Sequence, residues 1–274
     1  ERAMDTLKQG MVGYQVAELQ QLLNNHGQRL VVDGDFGAKT FAAVQAVQRR
    51  AGLVVDGRAG PKTLAVLRGQ VAKEVVFLSE ADLQRAAEAL GVELAAVKAV
   101  NLVESVGCGF GEDQRPRILL ERHVAYKQAT AAGMDSKLLA ASYPNLVNPK
   151  RGGYAGGSHE WSRFANLASI TSQAVAIEAC SWGAFQIMGY HWQLLGYASA
   201  AAFMAAMCQS EAEQLAAFVR FIQADAELHQ ALRANDWAEF ARRYNGPAYR
   251  DNLYDTKLAT AYQRFGGQGD KVAA

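Results

Sequence analysis

The sequence predicts a mainly α-helical protein, in which a small three-helix domain built on an internal repeat precedes a larger α-helical domain. Three observations carry that expectation. A twelve-residue pattern recurs near the N-terminus. Apolar residues return at three- and four-residue spacing over most of the remaining chain. Half of the 274 residues are hydrophobic, enough for one sizeable core and a smaller one. The spacing divides the chain into a first domain over 1–70, a connector over 71–78 and a second domain over 79–274.

The repeat comes first because overlooking it would misread the fold. The run Val31-Val32-Asp33-Gly34-Asp35-Phe36-Gly37-Ala38-Lys39-Thr40-Phe41-Ala42 aligns with Val54-Val55-Asp56-Gly57-Arg58-Ala59-Gly60-Pro61-Lys62-Thr63-Leu64-Ala65, with eight of twelve positions identical. A helical pattern precedes each copy: Val16, Leu19, Leu22 and Leu23 in one case, Phe41, Val44 and Val47 in the other. Gly27 and Gly52 stand just past those helices as C-caps. Asp-Gly supplies a tight turn, and Thr40 and Thr63 occupy positions expected of N-caps. The unit is helix, glycine turn, helix, repeated and overlapping.

Beyond a short connector, Ser79-x-x-Asp82 reads as a capping box behind Leu78. Helical segments are then expected at about 80–90, 93–105, 117–130, 172–179, 183–195, 199–207, 211–223, 225–233, 236–244 and 249–265. The exception is 143–166, a stretch of little periodicity with Pro144, Pro149 and paired glycines, expected as a long loop. Its Tyr143, Tyr154, His159, Trp161 and Phe164 either stack on a ligand or pin the loop down.

Charge and composition exclude several functions. Lys and Arg number 28 against 27 Asp and Glu, leaving little pull towards nucleic acid or an anionic membrane. The first 70 residues are slightly basic, nine Lys and Arg against six Asp and Glu, which suits a polyanionic surface. No apolar run approaches the ~20 residues of a membrane span. The opening Glu1-Arg2-Ala3-Met4-Asp5 has no signal-peptide pattern. Cys108, Cys180 and Cys208 are odd in number and lack a CxxC spacing, so they are expected as buried small apolar residues. The five His are scattered and no HExxH occurs, which argues against a zinc hydrolase; no metal or cofactor is expected. A Cys108–His123 nucleophile has no supporting context.

The carboxylates are more informative. In the helix expected at 93–105, Leu94, Val97 and Val100 form an apolar stripe, and Glu104 falls on that same face in the last turn before Gly107 and Gly109. Burial disfavours its anion, and so does the negative end of the helix dipole. Both raise the pKa, as a general acid at neutral pH requires. The spacing alone favours a helix-end glutamate that swings to solvent or pairs with Arg115 or Arg117.

Resemblances to known families resolve that ambiguity. Val16-x-x-Leu19-Gln20-x-x-Leu23, Asp33-Gly34-x-Phe36-Gly37-x-x-Thr40, Ala43-Val44-x-x-Val47-Gln48 and Asp56-Gly57-x-x-Gly60-x-x-Thr63 resemble the peptidoglycan-binding type 1 domain, over about residues 7–68. That resemblance implies a wall-binding groove between the repeats, with Asp33, Asp35 and Arg58 beside the turns as candidate contacts. Val103-Glu104-Ser105, Ser181-Trp182-Gly183-Ala184-Phe185-Gln186-Ile187-Met188-Gly189 and Arg243-Tyr244-Asn245-Gly246 are similar, in order, to the three motifs of the lysozyme-like superfamily, the last with its glycine one place early. Together with Arg115-Pro116 and Ile118-Leu119-Leu120-Glu121-Arg122-His123 they resemble the phage-type N-acetylmuramidases of modular endolysins, over about residues 78–265. One departure is Leu120, where that family more often has Phe.

By this resemblance the second domain is lysozyme-like and cleaves the β-1,4 bond from N-acetylmuramic acid to N-acetylglucosamine, with Glu104 protonating the glycosidic oxygen. Hydrolysis calls for a second carboxylate, about 5–5.5 Å away as nucleophile or about 6.5–9.5 Å away as base. Glu121 is the first candidate, ahead of Glu178 and of Glu112 or Asp113. Ser181, Gln186, Tyr244 and Asn245 are expected to position the sugar or the acid, and His123 to orient Glu121 or to sit on a helix surface. Trp182 is expected in the core. Two alternatives remain: a lytic transglycosylase of the same fold, which leaves 1,6-anhydro ends, and a wall-binding protein without activity. The partner implied is peptidoglycan, met by a monomer that binds neither nucleic acid nor membrane. An endolysin without a leader accumulates in the host cytoplasm until lysis and then reaches the periplasm and wall.

Overall fold

The computed structural model of the chain describes residues 6–70 and 77–268. Glu1–Asp5 and most of the connector expected at 71–78 lie outside the described residues. The chain divides into two compact units, Glu1–Arg85 and Ala86–Ala274. The division falls within a helix that starts just after the expected domain boundary.

In the first unit, α1 (Tyr14–Asn25), α2 (Ala38–Arg50) and α3 (Pro61–Leu67) bury the stripes read from the sequence. Val16, Leu19 and Leu23 pack with Phe36, Val44, Val47, Leu64 and Leu67. Gly27 and Gly52 follow α1 and α2 at φ +88° and +68°, the left-handed conformation that ends a helix. A buried glutamine holds each repeat. Gln20 Nε2 donates to Asp33 Oδ1 (2.8 Å), Asp35 O (3.0 Å) and Thr40 Oγ1 (3.1 Å), and its Oε1 accepts from Gly34 N (2.9 Å). Gln48 makes the same contacts with Asp56 Oδ1 (2.8 Å), Arg58 O (3.0 Å), Thr63 Oγ1 (3.2 Å) and Gly57 N (2.9 Å). This corrects the reading of both threonines. The N-cap residues are Gly37 and Gly60; Thr40 and Thr63 lie inside the helices and are buried, because their hydroxyls accept from the glutamines.

The second unit is larger. After α4 (Glu80–Leu90), across which the units divide, come α5 (Leu94–Glu104), β1 (Ile118–Leu120), α6 (Arg122–Ala131), α7 (Ser136–Ser142), α8 (His159–Ile170) and α9 (Gln173–Glu178). Then follow β2 (Cys180–Trp182), β3 (Ile187–Met188), a 3₁₀ turn at Gly189–His191, α10 (Ala200–Gln209), α11 (Glu211–Ala224), α12 (Ala226–Arg233), α13 (Trp237–Asn245) and α14 (Tyr254–Arg264). The capping box before α4 forms as expected, with Ser79 N donating to Asp82 Oδ2 (2.8 Å) and Asp82 N to Ser79 Oγ (3.1 Å). Helix α5 packs on α14, and α14 on α13. The strands form one antiparallel sheet in the order β1-β2-β3, with Ile118 opposite Trp182 and Ser181 opposite Met188. Trp182, fully buried, sits edge-on to Trp161, Phe164 and Phe203 at 5.7, 5.8 and 6.2 Å, the favoured geometry of aromatic pairs.

The fold class matches the expectation, and three segments and two of the cysteines differ from it. Residues 117–130 divide into β1 and α6, since an apolar run as short as Ile118-Leu119-Leu120 has no period of its own. Residues 183–195 form a hairpin and a 3₁₀ turn. Gly183 has φ +73°, and a Cβ on Gly189 would stand 1.9 Å from Ile177 O, so the chain turns there. The stretch 143–166 ends in α8, whose inward face carries Glu160 and Arg163 beside Phe164 and Leu167 and so hides the apolar period. Of the cysteines expected to be buried, Cys180 is, Cys108 is half-buried in the segment after α5, and Cys208 is exposed on α10, an Ala-rich helix whose sequence does not distinguish its faces. No helix among the described residues is long and apolar enough to cross a membrane.

Candidate active site

Glu104 is the last residue of α5, the helix that buries Val97 and Val100. Its side chain is half-buried, and that burial raises its pKa; a hydrogen bond from Asn245 Nδ2 to Oε2 (2.9 Å) opposes the rise without cancelling it. The carboxylate also lies at the negative end of α5, which disfavours its anion further. Neither Oε1 of Glu104 nor Oδ1 of Asn245 has a hydrogen-bond partner, although both atoms are buried. A buried acceptor without a donor is costly. A proton on Glu104, or a hydroxyl donor entering the site, would relieve it. The expected alternative for Glu104, a pair with Arg115, does not form: Arg115 makes a two-pronged contact with Asp113 Oδ2, at 2.9 and 2.8 Å.

Asn245 ends α13 and is followed by Gly246 at φ +87°, so two helix C-termini meet at this carboxylate. Tyr244 is half-buried beside it between Phe218, Phe221 and Phe240, and its hydroxyl donates to Phe185 O at 3.4 Å. Burial, together with the nearby Glu104 charge, keeps that phenol protonated.

The β2–β3 hairpin supplies the facing residues. Ser181 Oγ donates to Gln186 Oε1 (2.8 Å), which orients the amide so that Nε2 donates to Gly183 O (2.9 Å). Gln186 adopts φ +50°, an uncommon conformation for a residue with a side chain and one found at functional turns. It lines a groove of about 710 Å³ with Val106, Glu112, Asp113, Arg117 and Trp161. Val106 lies two residues beyond Glu104 and bonds the hairpin through Ala184 O (2.8 Å).

The remaining candidates lie elsewhere. Glu121 stands at the opposite end of β1 from Arg117, ~13 Å along an extended strand. Its Oε2 accepts from Tyr154 Oη (2.7 Å), and His123 Nδ1 stands 3.2 Å from the same oxygen without alignment as a hydrogen bond. Burial, together with the charges of Arg151 and Lys127, lowers the His123 pKa against the opposing pull of Glu121. Glu178, at the end of α9, accepts from Trp192 Nε1 at 2.8 Å. No described contact joins Glu121 or Glu178 to Glu104. Glu112 and Asp113 are the two candidate carboxylates on the groove wall.

In the first unit Asp33 and Asp35 are exposed and Arg58 is half-buried. Asp33 Oδ1 also closes its own turn by accepting from Asp35 N (2.9 Å), and this bond lowers its pKa.

Several residues that shape the site give no motif signal. Glu160 is fully buried; Oε1 accepts from Ala155 N (2.7 Å) and Gly156 N (2.9 Å), and Oε2 from Leu120 N (3.0 Å) and Arg163 Nη1 (2.7 Å). These bonds fasten the Gly-rich stretch, whose Gly157 and Ser158 line the groove, to the edge of β1. Arg122 holds the same stretch through the carbonyls of Pro144, Lys150 and Arg151 at 3.0, 2.9 and 2.7 Å. The stretch is a built wall: Trp161 and Phe164 pin it inside, while Tyr143 and Tyr154 remain exposed.

Comparison with known proteins follows this geometry. The N-acetylmuramidase family model matches residues 93–266, and the putative peptidoglycan-binding domain model matches residues 12–67. Among solved structures, the Burkholderia AP3 phage endolysin is 53% identical, with a TM-score of 0.90 over 96% of this chain and 100% of that one. The SleB N-terminal domain is 39% identical over 24% of this chain and 90% of its own, with a TM-score of 0.23, too low to bear on the fold. No curated protein matches the chain.

Proposed function

The chain belongs to the N-acetylmuramidase family, with a peptidoglycan-binding domain ahead of the muramidase domain, and on that premise we propose that Glu104 is the acid with which it cuts the glycan. The enzyme is a peptidoglycan-hydrolysing glycosidase of the endolysin type. The bond broken is the β-1,4 link from N-acetylmuramic acid to N-acetylglucosamine. The observation that carries the assignment is the unpartnered, buried Oε1 of Glu104 at a helix end, on a carboxyl whose pKa is raised. A carboxyl whose pKa is raised holds its proton to higher pH than an ordinary glutamate and can give it to the leaving oxygen as the bond lengthens. Asn245 holds the other oxygen and so fixes the direction of the proton. Gln186, oriented by Ser181, presents its amide to the sugar in the groove.

For the water that completes hydrolysis we assign Glu112 as base. Its support is its place on the groove wall and the commitment of Asp113 to Arg115. Glu121 and Glu178 then serve to hold Tyr154 and Trp192. Wall binding is assigned to the first domain, with Asp33, Asp35 and Arg58 as contacts beside its turns. The protein is taken to act as a monomer that accumulates in the host cytoplasm until lysis and meets its substrate in the wall. Mass spectrometry of muropeptides released from purified sacculi tests the reaction. Reducing N-acetylmuramic acid ends are expected, and their loss in Glu112→Gln supports the base. Reducing N-acetylglucosamine ends would overturn the bond assignment, and 1,6-anhydro ends would show that the sugar's own hydroxyl replaces the water.

A further inference from the structure

Gln214 and Glu211 lie on α11, far in sequence from every motif that marks the site, and both are buried, at 1% and 0% exposure. Buried polar side chains persist where their bonds are filled, and these two fill theirs with the backbone of two loops and of the end of α10. Gln214 Oε1 accepts from Ala184 N in the hairpin at 2.8 Å. Its Nε2 donates to Met207 O (2.9 Å) and more weakly to Gly109 O (3.4 Å), in the segment that leaves α5. Glu211 Oε1 accepts from Gly109 N at 2.7 Å. The same two loops meet directly where Val106 N donates to Ala184 O (2.8 Å). The circuit closes through Arg117, whose N donates to Gly109 O and whose O accepts from Gly183 N, each at 2.8 Å.

Shape agrees with the bonding. A Cβ on Gly109 would fall 1.8 Å from Gln214 Oε1, and one on Gly183 would fall 2.5 Å from Gln214 Cδ. Both loops therefore carry glycine where this one side chain passes between them. One loop follows directly on Glu104, and the other carries Gln186.

We propose that Gln214, supported by Glu211, is a positioning residue that sets Glu104 at its distance from Gln186 by locking the exit of α5 to the β2–β3 hairpin. The inference rests on Glu104 being the acid. Gln214 touches neither substrate nor Glu104; it acts through the two backbones it joins. Removing its amide leaves Ala184 N without an acceptor and loosens Ser105–Gly109 against the hairpin; the two then hold together only through Val106 and Arg117, and water gains access to Glu104.

The test compares Gln214→Met with the full-length wild type on soluble, uncrosslinked glycan strands, over a pH series below both melting temperatures. A displacement of about an ångström at the reacting groups predicts a kcat lower by about 10- to 100-fold. KM should stay within about threefold, since the groove residues remain. The alkaline limb of kcat/KM should move to lower pH, because a wetter Glu104 loses its proton more readily. Leu228→Ala, a buried cavity on α12, should lower the melting temperature while leaving the limb in place. The limb does not depend on the fraction of folded enzyme, so it is readable even at low yield. Gln214→Glu keeps the acceptor for Ala184 N and loses the donor, and its kcat should fall between those of wild type and Gln214→Met. Wild-type kcat and an unmoved limb in either variant, with Glu104→Gln inactive, overturn the positioning role alone. An active Glu104→Gln overturns the acid assignment on which it rests.

Discussion

Glu160→Leu should destabilise the catalytic unit by about 3–5 kcal/mol, the usual cost of deleting one partner of a buried ion pair. The magnitude follows from what the glutamate leaves behind. The Arg163 side chain, 9% exposed, loses its carboxylate, and the N–H groups of Leu120, Ala155 and Gly156 lose their acceptor. Burial alone would raise the Glu160 pKa, but these donors and Arg163 outweigh it and hold the carboxyl below its usual range. Glu160→Gln keeps an acceptor oxygen and should cost less, about 1.5–3 kcal/mol. Replacing both partners, Glu160→Leu with Arg163→Met, should recover part of the loss because no charge is left stranded. Urea unfolding followed by tryptophan fluorescence measures this cleanly, since Trp161, Trp182, Trp192 and Trp237 all lie in the second unit. The midpoint for Glu160→Leu should fall by about 1–3 M. A midpoint equal to wild type, or a double variant less stable than Glu160→Leu, would refute the reasoning.

Three further outcomes follow. Gln48→Leu strips the second repeat of its buried bonds and should destabilise the first unit by about 1–3 kcal/mol or more; sacculus pull-down should weaken while turnover of soluble strands persists. Asn245→Leu removes the hydrogen bond that lowers the Glu104 pKa, so the alkaline limb of kcat/KM should move to higher pH even as kcat drops. Glu104→Gln should stabilise the fold at neutral pH, as calorimetry can record. A carboxyl whose folded pKa is raised loses stability as pH climbs from its unfolded pKa through the folded one, so the advantage of glutamine should vanish below the ordinary value near 4.5.

Much of this molecule was legible in its sequence, for physical reasons that differ between its parts. The first domain announces itself because each repeat needs glycine at a left-handed position and Asp-Gly at a turn, and such residues punctuate a sequence. What the threonines do there was not legible: the glutamine that claims their hydroxyls is 20 residues away in one repeat and 15 in the other. The half-buried place of Glu104 at a helix end was legible only with its motif, since spacing alone left the side chain free to swing out, and the neighbourhood of Ser181, Gln186, Tyr244 and Asn245 was read from motif order. The sheet was not. Its strands are two or three residues long, too short to show a period, and β1 takes its conformation from pairing with β2, whose Cys180 lies 60 residues beyond Leu120. Glu160, Arg163, Glu211 and Gln214 were invisible for a related reason. Polar residues read as surface until the backbone groups they satisfy are known.

The most direct test of the account is the lysis of purified sacculi by Glu104→Gln, with sacculus binding measured on the same preparation. The account predicts that binding is retained and that turnover falls by two or more orders of magnitude at every pH, since the amide has no proton to give. Lysis at the wild-type rate by a folded, wall-bound Glu104→Gln would contradict it.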